Sequence, residues 1–305
     1  MNAQPQSQPA GRGCQLCGAT SARELYTATD RLRNSDQQFI IAACFECGVL
    51  RTLPEMSESE LERFYPKDYW GEGEEPSLQW IARSQSEKTR FLKRCNLAGG
   101  RILDVGCGSG LFLRALDESV WDRFGVETGH TASVVASRAL GKDKVFEGTL
   151  MEASYQDAFF DVVAFWSALE HTNEPRENLL EAKRILKPGG TLIVQVPNSA
   201  SYQARYFKGD WFALDAPRHR YHFSTETLGR LLGETGFEIY QTTHYSKAHN
   251  SHALRQSLKT RLRADGLSAL GRAIFLLAIP FIKPFDRLMT ALGEGATITL
   301  AARAL

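Results

Sequence analysis

From residue 99 to residue 245, short apolar runs alternate with segments whose apolar positions recur at helical spacing. The runs predict strands at 101–105, 124–127, 144–147, 161–166 and 191–196, and the helical patterns cover 111–117, 131–140 and 175–186. Strands that alternate with helices imply a parallel sheet covered on both faces, an α/β fold. A helix at 225–234, a sixth strand at 237–243 and a last strand at 296–302 follow. Upstream, 84–97 has helical spacing, and Ser57 with Glu60 three residues on has the spacing of a capping box. Two short apolar runs, 24–27 and 38–42, suit a small ribbon.

These patterns divide the chain into six stretches. Residues 1–12 are polar, rich in Gln, Pro and Gly, and lack an apolar signal-peptide core, which predicts a disordered tail. A ribbon module at 13–53 and a helical connector at 54–98 come next. The α/β core spans 99–245, an insertion 246–295, and the final strand of the core sheet lies in 296–305. The first half of the insertion is basic (Arg255, Lys259, Arg261, Arg263, Arg272) and the second half, 273–282, is apolar. Such a sequence suits a lid, a subunit contact or, through 255–285, a helix lying on a membrane surface. The oligomeric state is left open.

Charge changes the picture little. With 36 Lys and Arg against 35 Asp and Glu in 305 residues, nothing pulls the whole chain toward nucleic acid, and no nucleic-acid partner is expected. Apolar runs fall short of the ~18 residues that span a bilayer. A cytoplasmic protein, at most peripheral to a membrane, is the expectation.

Leu103-Asp104-Val105-Gly106-Cys107-Gly108-Ser109-Gly110 carries the chemistry of the core. A strand that ends in an acid and runs into a glycine turn lets backbone approach a ligand closely. The acid inside the strand end suits a ligand bearing an ammonium group better than a pyrophosphate. This stretch resembles the first motif, D-x-G-x-G-x-G, of the class I S-adenosylmethionine-dependent methyltransferases. The resemblance continues through Arg123-Phe124-Gly125-Val126-Glu127, Phe160 to Trp166, Ser167-Ala168-Leu169-Glu170-His171 and Leu186-Lys187-Pro188-Gly189-Gly190, in the family's order. It covers roughly residues 91–245, and the stretch Trp211 to Ser224 resembles the proline-histidine segment of relatives acting on quinone precursors, sugars or lipid-linked molecules.

The resemblance implies a doubly wound, mostly parallel, seven-stranded Rossmann-like sheet with an antiparallel last strand. It implies S-adenosylmethionine as cofactor and methyl transfer to a small-molecule, sugar or lipid-linked acceptor by in-line displacement. Asp104, Gly106, Cys107, Gly108 and Gly110 would surround the methionine portion, with Cys107 also packing beneath the turn. Glu127 would hold the ribose, Thr149 and Leu150 would face the adenine, and Trp166 would stand beside them. Many relatives carry an acid where this chain has Thr149. His219, His222 and His171 are the candidate bases, with His219 slightly preferred. Tyr65, Tyr69, Trp70, Trp211 and Arg218 are candidates for the acceptor side. A nicotinamide-dependent oxidoreductase and a non-catalytic binding protein are the alternative readings.

Cys14-Gln15-Leu16-Cys17-Gly18 and Cys44-Phe45-Glu46-Cys47-Gly48 form a separate constellation. Two Cys-x-x-Cys-Gly turns supply the four thiolates of a structural zinc site, a closed shell with no catalytic position. Redox or disulfide chemistry is the competing reading.

Overall fold

The computed structural model describes residues 13–32, 36–65, 76–246, 249–264 and 268–305. The expected tail at 1–12 lies outside them, as do Tyr69 and Trp70. The chain opens with strands β1 (Ala22–Thr29), β2 (Gln38–Cys44) and β3 (Leu50–Leu53), followed by helices α1 (Glu58–Glu62), α2 (Leu78–Ser84) and α3 (Ser86–Arg94). The core runs through β4 (Gly100–Val105), α4 (Leu111–Arg114), β5 (Trp121–Glu127), α5 (His130–Leu140), β6 (Val145–Glu147), β7 (Phe160–Trp166), α6 (Pro175–Ile185) and β8 (Leu186–Pro197). Then come α7 (Tyr202–Phe207), β9 (Tyr221–His222), α8 (Thr225–Glu234), β10 (Phe237–Thr243), α9 (Asn250–Ala264), α10 (Ser268–Ala291) and β11 (Thr297–Ala304).

Seven strands form the main sheet in the order β10-β11-β8-β7-β4-β5-β6. The pairs from β8 to β6 are parallel, and β11 runs antiparallel to both neighbours. This is the doubly wound Rossmann-like sheet. Ile102, Leu103 and Val105 of β4 and Val162, Val163 and Ala164 of β7 are buried, because helices cover both faces. Strand order reverses between β4 and β7, so a crevice opens beyond their carboxyl ends.

A second sheet has the order β1-β2-β3-β9. Its fourth strand comes from the core: Leu50 pairs with His222 and Arg51 with Tyr221. At one end Cys14, Leu16, Cys44, Cys47 and Val49 share a buried cluster with Leu228, Leu231 and Leu232 of α8. At the other, Ala28, Phe39 and Ile41 pack with Phe207, Trp211, Leu214, Leu254 and Ile282.

Most expected elements are present, including the Ser57–Glu60 capping box. Four differences stand out. The helix expected at 84–97 is two helices, broken at Gln85, and its first part begins at Leu78. The helix expected at 111–117 is a single turn. Between 197 and 224, α7 starts on the Ser201 cap, whose hydroxyl accepts from the Ala204 N–H. Strand β9 exists through its tertiary partner β3, which no local pattern announces.

Candidate functional site

The glycine turn at the end of β4 is tightly held. Gly106 has φ +72°, and a Cβ there would stand 2.8 Å from the Ala168 Cβ, so only glycine fits between the turn and the loop after β7. The Gly108 N–H donates to Glu127 Oε2 and the Gly129 N–H to Glu127 Oε1, both at 2.8 Å. Glu127 therefore ties the turn to the start of α5, and burial raises its pKa while those N–H groups oppose the rise. Cys107 points away from the crevice into the core, where its Sγ packs on Gly125.

Asp104 is 2% exposed, and its Oδ1 meets no hydrogen-bond partner among the described residues. Burial pushes its pKa up to about 7; Lys88 of α3 pulls it down, and Glu127 raises it further. Burial in turn lowers the pKa of the Lys88 ammonium, which lies 5.3 Å from the Trp166 ring centroid and 5.6 Å from that of Phe112. A buried carboxylate oxygen without a partner beside a desolvated cation is a costly arrangement for the chain alone. It fits a zwitterionic ligand.

The cleft is lined by Gly106, Glu127, Gly148, Thr149, Leu150 and Trp166 of the core sheet's edge. Tyr65, Ala168, His171, Pro217, Arg220 and Tyr221 line it as well, together with Arg51 and Met56. The Thr149 N–H and hydroxyl both donate to Glu152 Oε2, at 2.8 Å. Thr149 thus shapes its turn, while Leu150 is buried in the cleft wall.

Among the three candidate histidines, His171 lines the cleft. Its ring meets that of His219 edge to face, centroids 4.6 Å apart, and its Nδ1 lies 3.1 Å from the Arg218 carbonyl oxygen and 3.3 Å from the Tyr65 hydroxyl. A carbonyl only accepts, so Nδ1 carries the proton and Nε2 the lone pair. His219 stands behind it, with Nδ1 donating to the Ala213 carbonyl at 3.0 Å and Nε2 at 3.9 Å from Glu170 Oε1. His222 belongs to β9. Its Nε2 lies 2.9 Å from Thr52 Oγ1, whose one proton goes to the His219 carbonyl, so Nε2 donates. Burial lowers all three pKa values, to about 3 for His171 and His222 and about 4 for His219. They are neutral at physiological pH.

The structure therefore reorders the sequence expectations. His219, the preferred base, is one layer behind the cleft, and His222 pins the ribbon to the core. Arg218 is fully buried: its Nη1 donates to the Phe64 carbonyl and pairs with Asp30, both at 2.9 Å, and its Nη2 and Nε pair with Asp215 at 2.6 and 3.0 Å. That fork holds Asp215 in a left-handed backbone conformation, φ 42°. Trp211, 1% exposed, is core. Neither residue borders the cleft, because both were drawn inward to seat the ribbon. Tyr65 does reach the cleft.

Sequence reasoning missed Lys88 and Glu170. Glu170 is 1% exposed, neither carboxyl oxygen has a hydrogen-bond partner among the described residues, and burial lifts its pKa to about 8. A charged residue beside His171 in an otherwise apolar run was a readable signal; the position of Lys88 on α3 was not.

The four ribbon cysteines converge. The Sγ atoms of Cys14 and Cys47 are 3.6 Å apart, as are those of Cys17 and Cys44, and all four lie within 4.8 Å of one another. Four sulfurs each 2.3 Å from one ion stand about 3.8 Å apart, whereas a disulfide needs about 2.05 Å. Gly18 and Gly48, at φ +77° and +71°, make the turns that aim each pair inward.

Residues 79–242 match the methyltransferase domain family. The probable S-adenosylmethionine-dependent methyltransferase of Mycolicibacterium smegmatis is 25% identical over 166 residues, 53% of this chain and 61% of that protein. The match thus spans under two thirds of that relative's length. The ubiquinone biosynthesis O-methyltransferase of Xanthomonas oryzae pv. oryzae is 26% identical over 174 residues, 54% of this chain and 73% of the relative. A solved S-adenosylmethionine dependent methyltransferase from Mesorhizobium loti superposes with a TM-score of 0.49 at 19% identity, covering 74% of this chain and all of that one.

Proposed function

This chain belongs to the methyltransferase domain family, and we propose that it moves a methyl group from S-adenosylmethionine to an oxygen of a small or lipid-linked acceptor. The observation that carries the reading is Asp104 Oδ1, buried and without a hydrogen-bond partner among the described residues at the strand end, within electrostatic reach of the Lys88 ammonium. In this reading Asp104 receives the ammonium of the cofactor's amino-acid tail and Lys88 its carboxylate. Glu127 faces the ribose and Leu150 the adenine. When bound, the cofactor supplies the electrophilic methyl on a sulfonium. A nicotinamide ligand would set its pyrophosphate against the Asp104 carboxylate, which disfavours the oxidoreductase.

The chain's own contribution is position and proton handling. His171 Nε2, neutral, takes the acceptor's hydroxyl proton as the new C–O bond forms and the S–C bond breaks. His219 is a positioning residue that packs on the His171 ring, and Tyr65 borders the acceptor. The O-methyltransferase name of the Xanthomonas relative supports oxygen as the acceptor atom. The cysteine cluster, sized for tetrahedral sulfur coordination, holds a structural zinc ion in this proposal.

Titration calorimetry with S-adenosylhomocysteine tests the cofactor, and transfer of label from radiolabelled S-adenosylmethionine to catechol and hydroquinone acceptors tests the chemistry. Binding without transfer to any hydroxylated acceptor, alongside transfer to amines, would overturn the choice of oxygen. Metal analysis finding no zinc in the purified chain would remove the ion.

A further inference from the structure

Helices α9 and α10 pack against each other as an antiparallel hairpin. Asn250 at the start of α9 reaches Thr290 near the end of α10 at 3.3 Å, and Ser251 donates to Asp286 at 3.0 Å. Ile282 and Asp286 face inward, 5% and 3% exposed. The outer side of α10 is apolar. Leu277, Phe281 and Leu288 are 72%, 70% and 55% exposed, and at 3.6 residues per turn they fall within about 40° of one another. Leu292, 65% exposed, extends the row past the helix end, and the exposed Pro280 and Pro284 add to it. A row of large apolar side chains turned to solvent marks a contact surface.

The charges around that row are mostly positive. Residues 250–292 contain seven Lys and Arg against two Asp, and α9 has no acid at all. Arg255 and Lys259 are exposed on α9, and Lys283 and Arg287 are exposed on one flank of the apolar row. Asp286 is buried against Ser251. No helix among the described residues is long and apolar enough to cross a membrane. Basic charge beside an outward apolar row fits an element that lies in an anionic bilayer surface, with lysines and arginines on the phosphates. A second copy on the same face would set its own Lys283 and Arg287 against this cluster.

We propose that the α9–α10 hairpin docks this protein on anionic lipid bilayers, with Leu277, Phe281, Leu288 and Leu292 entering the acyl boundary. The hairpin is joined to the loop beside the candidate site: the Phe212 N–H donates to Ser257 Oγ at 2.7 Å, and Leu254 and Ile282 pack in the cluster that holds Trp211. Docking therefore brings the cleft to the surface where a lipid-linked acceptor resides.

Co-sedimentation of the full chain with phosphatidylcholine vesicles, with and without phosphatidylglycerol, tests this without reference to methyl transfer. The expected result is binding that needs phosphatidylglycerol, weakens with salt, and falls at least ~10-fold in a Leu277→Glu/Phe281→Glu variant. The variant keeps its far-ultraviolet circular dichroism and its affinity for S-adenosylhomocysteine, because both side chains point to solvent. A Lys283→Glu/Arg287→Glu variant loses the lipid preference as well. Wild-type protein that ignores both vesicle types, or variants that bind like wild type, would overturn the proposal. So would a dimer that the first variant converts to monomer in a chain that never binds vesicles.

Discussion

The His171 and His219 rings meet edge to face, 4.6 Å between centroids, and His171 is the one that reaches the cleft. The pair thus has a working member and a supporting one. His171→Ala should lower kcat by about 10²–10⁴ and leave S-adenosylhomocysteine affinity unchanged. His219→Ala should cost less in kcat and more in thermal stability. Since burial holds His171 at about pKa 3, it stays unprotonated from pH 5 to 8 and adds no acid limb near pH 6.5 to the kcat/KM profile. Wild-type turnover in His171→Ala would remove it from the chemistry.

Asp104→Asn keeps the shape and removes the charge. Loss of one charge-assisted hydrogen bond, about 1.5–3 kcal/mol, predicts S-adenosylhomocysteine binding weaker by roughly 10- to 150-fold. Lys88→Met should weaken it in the same direction. Calorimetry on folded variants decides, and unchanged affinity in both would refute the zwitterion pocket.

Glu170 gives a stability signature. Its folded pKa of about 8 stands above the ordinary carboxylate value, so its favourable contribution is complete at low pH and is lost as pH rises toward 8. Glu170→Gln should melt at a higher temperature than wild type near neutral pH, with a lead that grows from about pH 5 to pH 8 and then levels. A pH-independent difference would mean that the carboxyl is ionised in the folded state.

Arg218, itself fully buried, clamps the buried Asp30, the partly exposed Asp215 and the Phe64 carbonyl. Arg218→Met takes the guanidinium from the buried Asp30 and from Asp215 and should cost about 3–5 kcal/mol of stability, measured by denaturant unfolding. A variant as stable as wild type but with a raised acceptor KM would return Arg218 to substrate binding.

The main sheet was legible because its strands are buried on both faces and read as unbroken apolar runs, ended by Asp104 and Glu127 at the cofactor edge. The cysteine turns were legible because ligand spacing and the following glycines are local. What stayed hidden was tertiary. Nothing within 197–224 announces that Tyr221 and His222 pair with β3, or that Trp211 and Arg218 turn inward to seat the ribbon. The choice of His171 over His219 depends on which ring borders the cleft, a matter of packing depth. Lys88 was missed because a lysine on an amphipathic helix ordinarily points to water.

The pairing of β3 with β9 means that the cysteine-rich ribbon is not a cassette that could be swapped or trimmed away. A chain begun at residue 54 would strip Tyr221 and His222 of their hydrogen-bonded neighbour and leave the far wall of the cleft without its scaffold. Any agent that oxidises the thiols, or extracts the zinc ion proposed for them, would then be felt at a distance, as slackening of the loop that carries His219.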